Sequence, residues 1–264
     1  MNRPARTREI IELSESVVDL IAEGRGPLVV MLPSRGRGSE DFDAVAAGIA
    51  EAGFRVLRPQ PRGAGGSRGP LSGIGLQDLA RDIALVIERE NAGPAIIAGH
   101  AFGSWVARMV ATDHPHVVHG IVLMAAASKT YPPGLRAVVE AAGDLERPQA
   151  ERLEALRSGF FSPGHDPKSW LEGWAPDANR AQAAAVAATP QAVYWQAGDA
   201  PLLDLVAEND PFKPPARRNE TVEDFGARAT VQVIANASHA LLPEQPQAVI
   251  DAIVGWAQAR FQRG

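Results

Sequence analysis

The 264-residue chain contains no cysteine. That single absence excludes disulfides, a thiol nucleophile and thiolate metal sites. The chain also lacks any apolar run approaching the roughly 20 residues that a membrane-spanning helix needs. Its apolar runs, such as Leu28 to Leu32, are strand-sized. No cluster of lysine and arginine forms a basic patch, and the formal net charge is −5. Nothing here suits a nucleic-acid backbone. The basic start Met1-Asn2-Arg3-Pro4-Ala5-Arg6 is not followed by a signal-type apolar region. There is no Walker loop and no dinucleotide fingerprint after the first strand, so no cofactor is expected. What is left is an ordinary globular composition, 45% hydrophobic and 22% charged. The expected setting is cytoplasmic. The expected partner is a small-molecule substrate or ligand, with no nucleic acid and no membrane, and a homodimer stays open.

Short apolar runs alternate with helical patterns along the chain, which predicts an α/β fold built on a mostly parallel central sheet flanked by helices. Strands are expected at Leu28 to Leu32, Phe54 to Leu57, Pro94 to Ala98, Gly120 to Met124, Pro201 to Ala207 and Thr230 to Ala235. Helices are expected at Asp41 to Ala52, Leu76 to Asn91, Ser104 to Thr112 and Pro246 to Arg263. The segment Ile10 to Ala22 fits either a helical stripe or an antiparallel hairpin. Between Ser128 and about Ala200 the pattern becomes Ala-rich and helical, broken by prolines, and carries Phe160, Phe161, Trp170, Trp174, Tyr194 and Trp195. We expect residues 1–127 and 200–264 to form the core and residues 128–199 a helical cap inserted over it. The cap aromatics fit a small helical core and a pocket lining equally well.

The most telling absence is local. Gly99-His100-Ala101-Phe102-Gly103 lies between an apolar strand and a helical run. Strand, Gly-x-x-x-Gly, helix is the setting of a nucleophile elbow, whose glycines let the turn pass close to its neighbours. The middle residue is alanine, which has no nucleophilic atom.

Three further segments complete the pattern. Pro59-Gln60-Pro61-Arg62-Gly63-Ala64-Gly65-Gly66-Ser67 is a glycine-rich loop after the second parallel strand. Glu208-Asn209-Asp210-Pro211 follows one late strand, and Asn236-Ala237-Ser238-His239 follows the last. With the elbow, these segments resemble the capped α/β-hydrolase superfamily over nearly the whole chain. The resemblance implies Asp210 as the triad acid and His239 as the base, in the order nucleophile position, acid, histidine. Glu208 is the rival acid. Taken singly, His239 is a loop histidine and Asp210 a turn former before proline. Two departures stand out besides Ala101. Gln60 occupies a place where aspartate is usual, and the oxyanion loop reads Pro33-Ser34-Arg35-Gly36 instead of His-Gly-x.

On the same resemblance, the oxyanion donors would be the backbone N–H groups of Phe102 and Arg35. Ser34, His100, Trp170 and Trp174 are candidate pocket residues. Arg35 and Arg37 would either meet an anionic substrate or, the preferred reading, be solvated loop charges. Ser104 should face packing, and Ser34 has no evident path to His239. His114, His116 and His119 are read as a surface loop, and no metal site is expected.

Three hypotheses follow from Ala101. The chain is an esterase-like hydrolase for a small, fairly apolar substrate whose serine has been replaced. Alternatively, a His239–Asp210 dyad works as a general base without a covalent step, as in lyases or cofactor-independent oxygenases of this superfamily. In the third, the pocket binds a small molecule and performs no chemistry.

Overall fold

A computed structural model describes residues 5–130 and 132–262. The basic residues 1–4 and Arg263, the expected end of the last helix, lie outside them. Eight strands form one sheet: β1 Arg6–Glu12, β2 Val17–Gly24, β3 Leu28–Leu32, β4 Arg55–Pro59, β5 Ala95–His100, β6 Val118–Met124, β7 Leu202–Ala207 and β8 Ala229–Ile234. Their spatial order is β1-β2-β4-β3-β5-β6-β7-β8. The first two pairings, β1 with β2 and β2 with β4, are antiparallel, and every later pairing is parallel.

The ambiguous N-terminal segment is therefore a hairpin. Its turn closes with the Leu13 N–H donating to the Ser16 carbonyl at 2.8 Å. Strand β2 is largely buried, whereas β1 turns charged residues outward along an exposed edge. Charge on an edge strand discourages pairing with another chain. The hairpin is tied down by ion pairs, Arg8 to Asp19 at 2.6 Å and the fully buried Arg58 to Glu23 at 2.6 Å.

Strands β3, β5 and most of β6 are buried on both faces, as expected of parallel strands covered by helices. Helices α1 Asp43–Glu51, α2 Leu76–Glu90 and α3 Phe102–Asp113 follow β3, β4 and β5. One core layer sets Val30, Ile97 and Leu123 against Ile83 of α2 and Val106 and Val110 of α3. The other sets Val29, Ile96 and Val122 against Ile49 of α1 and residues of the last helix. A 3₁₀ turn, Ser39–Phe42, precedes α1 where the sequence suggested one continuous helix. His119 lies in β6, stacked on Phe261 at 4.4 Å, and not in a loop with His114 and His116.

Between β6 and β7 come α4 Leu135–Gly143, α5 Gln149–Gly159, α6 Pro176–Ala188 and the single turn α7 Gln191–Tyr194. After β7 come α8 Glu220–Phe225, and after β8 the short α9 Leu241–Glu244 and the long α10 Pro246–Phe261. The inserted helices have their own apolar cluster, centred on Leu156, Phe160, Phe161, Trp170 and Leu171, which also takes in Ala240 beside the sheet.

Arg37 fixes this insertion to the loop after β3. It is 2% exposed. It pairs with Asp41 at 2.6 Å, donates to the Trp170 and Glu172 carbonyls, and lies 4.7 and 4.9 Å from the ring centroids of Trp170 and Trp174. The expectation of a solvated loop charge fails here, because Asp41 and two carbonyls replace the water that a buried guanidinium would lose. Nearby, the Gly36 N–H donates to Gln182 at 2.7 Å and the Ala175 N–H to the Gly36 carbonyl at 2.8 Å.

Candidate active site

The turn between β5 and α3 is built by two close backbone approaches. A Cβ on Gly99 would lie 2.2 Å from the Gly103 carbonyl oxygen, and one on Gly103 would lie 2.2 Å from that of Leu32. Between them Ala101 adopts φ 47° and ψ −109°, a strained conformation for a residue with a side chain. Its N–H donates to the Met124 carbonyl at 2.9 Å, and its own carbonyl accepts from the Ser104 N–H at 3.0 Å and the Ser104 hydroxyl at 2.6 Å. Ser104 is thus spent on the turn, facing packing as its helical position suggested.

Asp210 and His239 meet above this turn. The His239 Nδ1 lies 3.0 Å from one Asp210 oxygen and 3.3 Å from the other. A carboxylate accepts, so in the neutral ring Nδ1 carries the proton and Nε2 has the lone pair. That nitrogen has no hydrogen bond among the described residues. Glu208 turns elsewhere, accepting from the Asn236 N–H at 2.9 Å. The acid loop is held by the Phe212 N–H donating to Asp210 at 2.8 Å, and by Lys213, whose buried ammonium binds Asp204 and Thr221 beneath it. The histidine loop is held by Glu244, which accepts from the Ser238 and Ser162 N–H groups. Burial pushes the Glu244 carboxyl above its usual range, while those two donors oppose the shift.

A cavity of about 80 Å³ opens beside Ala101. Ser34, Arg35, Phe102, Trp105, Phe160, Phe212 and His239 are among its walls. Phe102 is the first residue of α3, so its N–H belongs to the amides that a helix start leaves without an intrahelical partner. Arg35 is half-buried, not a fully solvated charge. Trp170 and Trp174 are not among the lining residues; they pack around Arg37 and Phe160. The aromatic lining comes instead from Phe102, Trp105, Phe160 and Phe212; Phe160 stood among the cap aromatics for which lining was one of two readings, whereas Trp105 and Phe212 were not singled out. Of those two, Phe212 gave a signal, standing two residues beyond the candidate acid. Gln60 also has a structural role: its side-chain oxygen accepts from the Ser39 N–H at 2.9 Å, and its amide donates to Glu40.

His100 lies below the cavity instead of lining it. It is fully buried, and its Nε2 donates to the His239 carbonyl at 2.7 Å. The ring therefore supports the histidine loop from behind. Burial, reinforced by the neighbouring His239, lowers its pKa from 6.5 to about 3. The unfolded chain takes up this proton near pH 6.5 and the folded chain does not, so stability is full above that pH and declines as pH falls toward 3. Urea unfolding at pH 7 and pH 5 is expected to show the wild type losing about 2 kcal/mol more than His100→Gln over that interval.

A model of the alpha/beta hydrolase family matches residues 29–252. The chain belongs to the alpha/beta hydrolase family. Among curated relatives of this chain, RutD of Variovorax paradoxus, provisionally named a carbamate hydrolase, is 30% identical over 105 residues, 39% of this chain and 40% of that one. Pyrrolizixenacetamide deacetylase of Xenorhabdus hominickii is 25% identical over 116 residues, 44% of each chain. The chain therefore matches less than half the length of these relatives. A thermophilic esterase from Thermogutta terrifontis superposes with a TM-score of 0.77 at 21% identity, covering 97% of this chain and 99% of the esterase. That likeness concerns the fold. Among the described residues, no helix is long and apolar enough to cross a membrane.

Proposed function

We propose that this alpha/beta hydrolase family member hydrolyses a small, largely apolar carbonyl substrate, in the manner of an esterase but with water in place of the serine. One observation carries the reading: His239 lines the cavity and its ring is held by Asp210 through Nδ1, while its other nitrogen has no hydrogen-bond partner among the described residues. The reading gives that arrangement work to do. His239 Nε2 takes a proton from water, and the resulting hydroxide attacks the carbonyl carbon. The oxyanion is received by the N–H groups of Phe102 and Arg35. The imidazolium returns its proton to the departing alkoxide, releasing an acid and an alcohol. Asp210 stabilises the imidazolium and keeps the tautomer correct. The apolar walls exclude bulk water and strengthen each charge interaction. Residues 128–199 serve as the cap over the cavity, and the Arg37 clasp holds that cap beside the oxyanion loop.

The curated relatives named as a carbamate hydrolase and a deacetylase support acyl chemistry as the reaction class. A panel of short-chain esters tests the proposal. The unaltered chain is expected to turn over at least one of them slowly, and His239→Ala is expected to lower that rate by about 10²–10⁴-fold, the usual share of a general base. Equal rates with and without His239 would sink the proposal.

A further inference from the structure

The cavity beside Ala101 has a charge pattern that ester hydrolysis does not require. Arg35 and Arg136 both contribute to its wall, and among the described residues no aspartate or glutamate does. The remaining lining is the Ser34 hydroxyl, His239 and apolar residues. This stands out in a chain whose formal net charge is −5. The two arginines come from different elements, Arg35 from the loop after β3 and Arg136 from the first turn of α4. Arg136 pairs with Glu140 one helical turn away at 3.0 Å, with side chains 76% and 54% exposed. An exposed pair of this kind holds its partners weakly, so Arg136 can turn to a ligand at little cost. A guanidinium at the edge of an apolar cavity matches a carboxylate in charge and in its paired donors.

We propose that the site selects substrates carrying a carboxylate near the reacting carbonyl, the simplest class being half-esters of short dicarboxylic acids. The carbonyl sits against Ala101 and Phe102, and the carboxylate is received by Arg35 and Arg136. This rests on the hydrolase reading above but concerns binding, so it is tested by binding.

Calorimetric titration of the unaltered chain with monomethyl glutarate and with neutral dimethyl glutarate compares two ligands of nearly equal size. The half-ester is expected to bind about tenfold or more tightly at low salt, with the advantage shrinking in 0.5 M salt. Arg136→Gln is expected to remove most of that advantage and leave the diester unchanged; at this exposed position folding is expected to be retained, which circular dichroism checks. Equal affinity for the two ligands, or an Arg136→Gln variant that weakens both alike, would overturn charge selection and leave the esterase reading standing. Arginine-dependent binding without turnover of either ester by the unaltered chain would uphold charge selection and count against hydrolysis. Binding of neither ligand would sink both.

Discussion

Replacing Ala101 by serine is expected to raise ester turnover by about 10³-fold or more over the unaltered chain. Removing a serine nucleophile from a complete triad costs on the order of 10⁶ in turnover, which bounds the gain from above. The backbone asks for no adjustment, because Ala101 already places a Cβ in the elbow conformation at φ 47°. Ala101 and His239 line the same cavity, and Asp210 is already bonded to the far side of the ring. The added hydroxyl needs only a base within reach to become a nucleophile. Stopped-flow measurement with a p-nitrophenyl ester should show a product burst matching the enzyme concentration, and mass spectrometry an acylated chain. Adding His239→Ala to the serine variant should erase both signals. A serine variant no faster than the parent would mean that the dyad and the elbow are not aligned for attack.

The second large effect is structural. Gly103→Ala is expected to destabilise the fold by more than about 4 kcal/mol, a loss reserved for severe packing faults. The new Cβ would lie 2.2 Å from the Leu32 carbonyl oxygen, 2.7 Å from its carbon and 2.9 Å from the Pro33 carbonyl oxygen. All three are backbone atoms at the end of β3, and moving them drags the Ser34–Arg35 wall of the cavity. A fall in Tm of about 10 °C or more follows for a chain of this size. Gly255→Ala is the control. It lies exposed within α10 and its added Cβ would meet nothing within 4 Å. There the same substitution should stabilise by about 0.5–1 kcal/mol, since alanine is the better helix former.

The sheet core was legible in local signals, whereas the pairing of Asp210 with His239 was legible only through the family resemblance that the four ordered segments carry. Buried parallel strands show as unbroken apolar runs, and Asp210 and His239 sit on loops directly after such runs. The hairpin β1–β2 was not legible, since Ile10, Ile11, Leu13, Val17, Val18, Leu20 and Ile21 satisfy two periodicities. Pairing of β2 with β4, more than thirty residues away, decides the matter. The fates of Arg37, Trp170 and Trp174 were hidden for a similar reason. Their clasp joins residues that are distant in the chain, and no spacing rule links an arginine in one loop to two tryptophans in an inserted segment. Phe160 reaches the cavity from the end of α5, and the sequence left it divided between a helical core and a pocket lining because aromatic content alone does not tell which face it turns to.

The strained turn at Ala101 also has a meaning in coding terms. Every alanine codon becomes a serine codon by changing its first base alone. The glycines that shape the turn, the unfavourable dihedral angles at its centre and the paired acid and base are all present around a residue that uses none of them chemically. A single transversion in the gene would therefore supply the missing oxygen without asking any other residue to change.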